Sequence, residues 1–179
     1  MKNYILTGTP GSGKTSVINE LASLGHSVIH EAATDIIIDQ QQKKNSEPWK
    51  APLFIDLIID LQQKRQINLS SASSPTTIHF YDRSPFCTYA LSEYLKFPPS
   101  LKLLNEIARI ESSQTYMKQI FFMQNLGDCT PTDARKISYE ESLIFEEIHR
   151  KIYTQFGYEI IEIPFMSVEK RAHFIMDYL

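Results

Sequence analysis

Gly8-Thr9-Pro10-Gly11-Ser12-Gly13-Lys14-Thr15 satisfies the pattern GxxxxGK(S/T) at every position. Glycines let successive backbone N–H groups converge on phosphate oxygens with no Cβ in the way. A helix starting near Lys14 turns its positive end toward the same anion. Lys14 is suited to the β- and γ-phosphates, and the Thr15 hydroxyl to a magnesium ion. The lysine side chain is expected to point into an open cleft and to pack on little. Gly8 to Thr15, with Ser16, form the expected nucleotide-binding set, and ATP and Mg2+ are the expected cofactors. The plain alternative is a glycine-rich turn with an exposed lysine. Strand-like Tyr4-Ile5-Leu6 before the motif and a helical stretch after it supply the context that the phosphate reading requires.

Asp82 closes the apolar run Ile78-His79-Phe80-Tyr81. That is the position of a carboxylate holding Mg2+ directly or through water, although an acid just before a helix also serves as a cap. Arg83 beside it can clamp a phosphate or anchor a substrate, or else make a surface ion pair. Glu31 directly follows a second strand-like run, Ser27 to His30. Parallel strands point their C-terminal ends at one crevice, so a carboxylate there can accept the proton of an attacking hydroxyl. Its alternative is an acid favoured by the helix macrodipole. Arg135 and Lys136 lie in a polar loop, about 125–137, that is expected to act as a lid and to neutralise a transferring group, or else to be an ordinary solvated loop. The expected catalytic residues are thus Lys14, Glu31, Asp82, Arg83 and Arg135, with Thr15 and Asp82 on the metal. Trp49, Phe54 and Gln63 stand on a segment able to wall an acceptor pocket, with core packing the better reading for Phe54. His30-Glu31 opens an HExxH-like string, but Thr34 stands where its second histidine belongs, and the other histidines show no ligand spacing.

Elements of the right kind surround these residues. Short apolar runs at 4–7, 27–30, 78–81, 119–123 and 159–163 alternate with helical stretches. Gly25 is placed to end the first helix, and a helix from Ala32 to about Gln42 is broken by the QQQKKNSEPW stretch. Pro52 opens a long helix with Leu53, Leu57, Ile58 and Leu61 on one stripe, and Ser70 to Thr77 reads as a loop. Ser84-Pro85 starts a helix to Tyr94, and another runs to about Glu111. Ser138 with Glu141 forms a capping box, and Ser167 caps a terminal helix. Strands separated by helices predict an α/β fold, a three-layer P-loop sandwich with a five-stranded parallel sheet, within a single domain over 1–179.

The order GTPGSGKT, HEAA, FYDRS, a loop arginine, EES-x-x-x-x-EIH and FGYEIIEIP resembles a family of small AAA-like P-loop ATPases. That family is related to the nicotinamide riboside kinase domain of a bacterial NAD-biosynthesis regulator. The resemblance spans almost the whole chain and implies nucleotide binding and the kinase strand order 2-3-1-4-5. Its broader relatives include deoxynucleoside and thymidylate kinases. There, an acid after the second strand is base or hydroxyl anchor, and an acid–arginine pair follows the third; Glu31 and Asp82-Arg83 match those places. The family often has arginine after Glu-Ala-Ala where this chain has Thr34.

Composition narrows the partners. A net charge of −3 and a pI near 6.0 give no general pull toward nucleic acid or anionic membrane. Two cysteines without a CxxC pattern exclude a disulfide scaffold. No signal-peptide pattern and no membrane-length apolar run is present, so a cytoplasmic protein is expected. The leading functional expectation is an ATP- and Mg2+-dependent kinase acting on a small hydroxyl- or phosphate-bearing metabolite. The alternative is a regulatory NTPase or switch without an acceptor. Asn125-Leu126-Gly127-Asp128 lacks the lysine of NKxD, so guanine preference has no support.

Overall fold

The computed structural model describes residues 1–72, 77–125 and 137–179. Strand β1 (Lys2–Gly8) lies at the centre of the sheet, paired in parallel with β3 (Ile78–Asp82) on one side and β4 (Gln119–Met123) on the other. Strands β2 (Ser27–Ile29) and β5 (Glu159–Ile163) complete the order β2-β3-β1-β4-β5, as expected. Each parallel crossover carries helix: α1 (Lys14–Ser23), α2 (Ala32–Gln42) and α3 (Leu53–Ala72), α4 (Pro85–Tyr94) and α5 (Leu101–Ser113), then α6 (Tyr139–Gln155) and a final α7 (Val168–Met176). A short 3-10 turn, Pro48–Lys50, joins α2 to α3.

Strand residues alternate between two buried faces, so the strands read as nearly continuous apolar runs. Ile5, Tyr81, Ile120 and Phe122 pack under α3 to α6 with Ile59, Phe86, Ile107 and Tyr153. Tyr4, Leu6, Phe80, Phe121 and Met123 pack against α1 and α7 through Val17, Leu21, Ala172 and Ile175. A third cluster, Ala32, Ile37, Phe54 and Ile58, seats α2 on α3.

Local chemistry sets the helix ends. The Ser84 hydroxyl accepts from Phe86 N at 3.2 Å with Pro85 in the first turn, so α4 begins directly after Asp82-Arg83. The Ser138–Glu141 capping box forms reciprocally at 3.2 and 2.7 Å and starts α6. Gly25, at φ +90°, closes α1: its N–H donates to Ala22 O and that of His26 to Leu21 O. One boundary differs from the sequence expectation. Helix α3 continues to Ala72, into the serine-rich stretch read as loop, with Leu69 packed on the main core. Tertiary packing there outweighs the weak helix propensity of serine.

Gly8 shows how tightly the sheet holds the phosphate loop. At φ +133° a Cβ on Gly8 would sit 2.5 Å from Met123 O of β4, whereas at Gly25 it would meet nothing within 4 Å. Gly25→Ala therefore costs only backbone strain, about 1–3 kcal/mol. Gly8→Ala adds a backbone collision and separates β1 from β4. Urea unfolding of the two variants is expected to give a clearly larger loss for Gly8→Ala; equal losses would refute the close-approach account.

Candidate active site

The C-terminal ends of β1, β2 and β3 deliver the loop Gly8–Lys14, Glu31 and Asp82-Arg83 to one edge of the sheet. Gly11 and Gly13 take φ +86° and +78°, values that turn the loop back over the start of α1. Ser12 N and Oγ both donate to Thr9 O, at 3.3 and 2.9 Å, so this serine shapes the loop from inside. Behind it, Arg171 of α7 donates through Nη1 to Ser12 O at 2.9 Å, and its guanidinium lies 3.0 Å from where a Gly13 Cβ would stand.

Lys14 departs from the open-cleft expectation. It is 6% exposed, and Nζ donates to Thr9 O at 2.6 Å and to Ser12 Oγ at 3.2 Å. Burial first and Arg83 second push its pKa down to about 7, while Asp82 and Glu31 pull it back up. Thr15 Oγ1 donates to Asp82 Oδ2 at 3.3 Å. Burial and nearby Glu31 raise the Asp82 carboxyl. Asp82 does not cap α4, since Ser84 does. Its buried Oδ1 has no hydrogen-bond partner among the described residues. An orphaned carboxylate oxygen beside a threonine hydroxyl fits Mg2+, which takes few protein oxygens and keeps water and phosphate as its other ligands. No cluster of three or more His, Cys, Asp or Glu that could cage a metal occurs among the described residues.

Arg83 is not a surface residue. Its side chain is 10% exposed and Nε stands 2.5 Å from Glu31 Oε1. The other Glu31 oxygen accepts from Thr34 Oγ1 at 3.0 Å. Burial works to raise Glu31, but Arg83, Lys14 and Thr34 outweigh it and hold the carboxyl below its usual value. Glu31 is the N-cap residue of α2, a position the macrodipole favours for an acid, and its side chain makes no cap hydrogen bond but turns to Arg83 and Thr34. The backbone before α2 is held from below by Arg65 of α3, which donates to His30 O at 2.8 Å and Glu31 O at 3.0 Å and pairs with Asp35.

A cavity of about 470 Å³ is lined by Lys14, Thr15, Glu31, Thr34 and Arg83, with Asp82 behind Thr15 and not on its wall. Pro10, Gly11, Gly13, Lys14, Thr15 and Ser16 line one end. Gly8, Thr9 and Ser12 do not line it; they form the loop's frame. Trp49, Phe54, Leu91, Tyr94 and Phe145 line the other end, and Glu31 and Arg83 lie between. Phe54 is at once core and wall, 3% exposed. Gln63 turns away to donate to Glu106 Oε2 at 3.1 Å, and Gln62 lines the cavity instead, accepting from Thr88 Oγ1 at 3.0 Å. One step along a helix rotates a side chain by about 100°, which is the whole difference. Arg135, Lys136 and the lid expected at 125–137 lie, apart from its end residues, outside the described residues. Sequence reasoning missed His149, whose Nε2 is 3.3 Å from Arg83 Nη1, and the buried chain from Thr7 Oγ1 to Cys87 Sγ (3.2 Å) to Tyr153 OH (3.1 Å) to Ser84 Oγ (2.8 Å). Only the EIH of the family resemblance pointed at His149.

The low Lys14 pKa has a signed consequence. The unfolded lysine titrates near 10.5 and the folded one near 7, so between these values the unfolded state binds more protons. This group makes stability rise with pH across that window, by at most about 1.4 kcal/mol per pH unit. Lys14→Met is expected to remove that rise in urea unfolding between pH 7 and 9. An unchanged pH slope would mean that Lys14 is charged in the free protein.

The fold has well-defined counterparts. It superposes on a deoxyadenosine kinase from M. mycoides bound to dCMP and dCDP, with TM-score 0.62, 14% identity, and 98% of this chain and 97% of that chain covered. Thymidylate kinase from Candida albicans gives TM-score 0.63 and 9% identity over 99% and 90% of the two chains. NadR in complex with NR gives TM-score 0.66 and 16% identity over 98% of this chain but 49% of NadR, so the chain spans about half of that protein. At these identities the likeness is one of fold. No curated protein matches the sequence. The family model AAA_28, described as an AAA domain, matches residues 3–171, and the chain belongs to that family.

Proposed function

We propose that this domain is an ATP- and Mg2+-dependent kinase of the cytoplasm, transferring a phosphoryl group to a hydroxyl of a small metabolite. The observation that carries the reading is the two-ended cavity. The phosphate loop lines one part of it, aromatic and aliphatic side chains line another, and a paired acid and arginine line the same space. A pure nucleotide switch has no need of the second end. The nucleoside and thymidylate kinases with the same fold favour an acceptor of comparable size.

The chain's own groups suffice for positioning. Backbone N–H groups of the loop and Lys14 hold the β- and γ-phosphates. Thr15 and Asp82 are the residues that would hold Mg2+, which when bound offsets charge on the phosphate oxygens. The acceptor hydroxyl oxygen forms the new bond to the γ-phosphorus as the bond to the β,γ-bridging oxygen breaks, and ADP leaves. Glu31 accepts the hydroxyl proton and returns it to solvent, and Arg83 faces the three oxygens of the transferring group. The transition state is loose, so a weak base with good aim is sufficient. Arg83 and Thr34 hold Glu31 ionised, which keeps it ready to accept.

An ATP-consumption screen over nucleosides, nucleotides and vitamin-like alcohols, read against an acceptor-free blank, tests the proposal. Stimulation by one class is the expected result; a steady rate indifferent to every acceptor would replace it with the switch reading. Glu31→Gln then isolates the base. Turnover is expected to fall by about 10²–10⁴-fold while the melting shift induced by Mg-ATP stays. Normal turnover with a lower melting temperature would leave Glu31 a structural partner of Arg83. Lys14→Ala is expected to abolish the Mg-ATP melting shift, and retention of the wild-type shift would refute its phosphate role.

A further inference from the structure

Arg83 sits in a backbone conformation that arginine avoids, with φ +72°. Such left-handed positions cost about 1–3 kcal/mol and persist where the surroundings over-determine them. Here they do. The Arg83 amide donates to Leu6 O at 3.0 Å, Glu31 Oε1 lies 2.5 Å from Nε, and His149 Nε2 lies 3.3 Å from Nη1. His149 comes from α6, far along the chain, and is fully buried. Its other ring nitrogen, Nδ1, is 2.8 Å from Phe145 O in the preceding helical turn.

Those two contacts fix the chemistry of the ring. A carbonyl only accepts, so Nδ1 carries the proton; a guanidinium only donates, so Nε2 must present a lone pair. The imidazole is therefore a neutral acceptor. Burial and the adjacent Arg83 charge push its pKa down to about 3, so it remains neutral throughout the working range. The neutrality matters. A carboxylate in this place would hold Arg83 equally well but would offset its charge, and the guanidinium already has one carboxylate partner in Glu31. The imidazole restrains the guanidinium and adds no negative charge. The Phe145 ring, 4.3 Å away and edge-on, supports the imidazole and also lines the cavity, so one turn of α6 touches both the acceptor space and Arg83.

We infer that His149 is a positioning residue, a neutral acceptor on α6 that aims the Arg83 guanidinium at the transferring phosphoryl group. The inference rests on the kinase reading above and adds to it the element that holds the arginine.

Three variants test it, with the acceptor found by the screen as substrate. His149→Leu removes the acceptor atom, and kcat is expected to fall about 10–100-fold with KM for ATP unchanged, the size of a misplaced positioning group. His149→Gln restores a neutral acceptor oxygen and is expected to recover most of kcat. His149→Glu pairs with Arg83 and keeps or raises the melting temperature, yet is expected to be as slow as His149→Leu. A purely structural role predicts instead that kcat follows melting temperature across the three, with the Glu variant best; that ordering would overturn the inference. A second readout does not need turnover. The Arg83 Nη1–H resonance of arginine-labelled protein, the proton that faces His149, is expected to shift in His149→Leu and to return towards its wild-type position in His149→Gln, and an unmoved resonance would also overturn the inference. Absence of any acceptor-dependent activity in the wild type would sink the kinase reading alone, since the resonance still reports whether His149 holds Arg83.

Discussion

Four charges, two buried and two half-buried, at or just beyond three strand ends are the constraint around which this molecule is arranged. Lys14, Glu31 and the neighbours Asp82 and Arg83 are drawn from three places in the sequence; Lys14 and Asp82 are buried, and Arg83 and Glu31 are partly so. Isolated ions at such depth are costly, and their mutual pairing offsets that cost only with good geometry. The pairing is incomplete in the free protein. Arg83 and Glu31 form a close ion pair, whereas Lys14 is left with neutral partners and a lowered pKa, and Asp82 with one bonded oxygen and a raised pKa. The imbalance marks the site as built for charges that arrive from outside.

The rest of the fold serves to hold that arrangement against relaxation. Central β1 feeds the loop directly from a fully buried strand, and β4 leaves no room for a side chain at Gly8. Both faces of the sheet grip the site from beneath: α7 reaches the loop through Arg171, and α6 reaches the β3 end through His149 and Tyr153. Arg171 is 5% exposed, and burial lowers its pKa; no carboxylate pairs with it among the described residues, so it adds a further positive charge under the phosphate loop.

Legibility followed sequence distance. The strand-forming runs and the caps at Ser84, Ser138 and Ser167 are local patterns, and each formed where the residues indicated, whereas the strand order was implied only by the family resemblance. Glu31, Asp82 and Arg83 were readable because parallel strands must end on one edge. What local pattern could not show was which way a side chain turns once it has neighbours. Lys14 folds back onto Thr9 O because that loop carbonyl, already gathered in by Ser12, is within reach, and Gln62 rather than Gln63 meets the cavity because α3 fixes its own rotation by burying Ile55, Ile58 and Ile59. His149 was invisible for the same reason. A single histidine on an amphipathic helix has no spacing to betray it, and its partner lies 66 residues away.

The unbalanced charges also bear on the order of binding. A polyphosphate brought to the loop raises the Lys14 pKa, so the bound lysine takes up the proton that burial had removed near neutral pH. A divalent cation acts on Asp82 in the opposite sense, lowering a carboxyl that burial and Glu31 had raised. Each arrival alone worsens one neighbour: the anion stands close to Asp82 and Glu31, and the cation close to Lys14 and Arg83. Arriving together, they complete both halves of the cluster and repel neither. On the kinase reading proposed above, the free energy of binding the pair would therefore exceed the sum for its members, and the nucleotide would be best received as its magnesium complex. The coupling is reciprocal, as linkage requires: whatever the metal adds to nucleotide affinity, the nucleotide adds to the affinity of Thr15 and Asp82 for the metal.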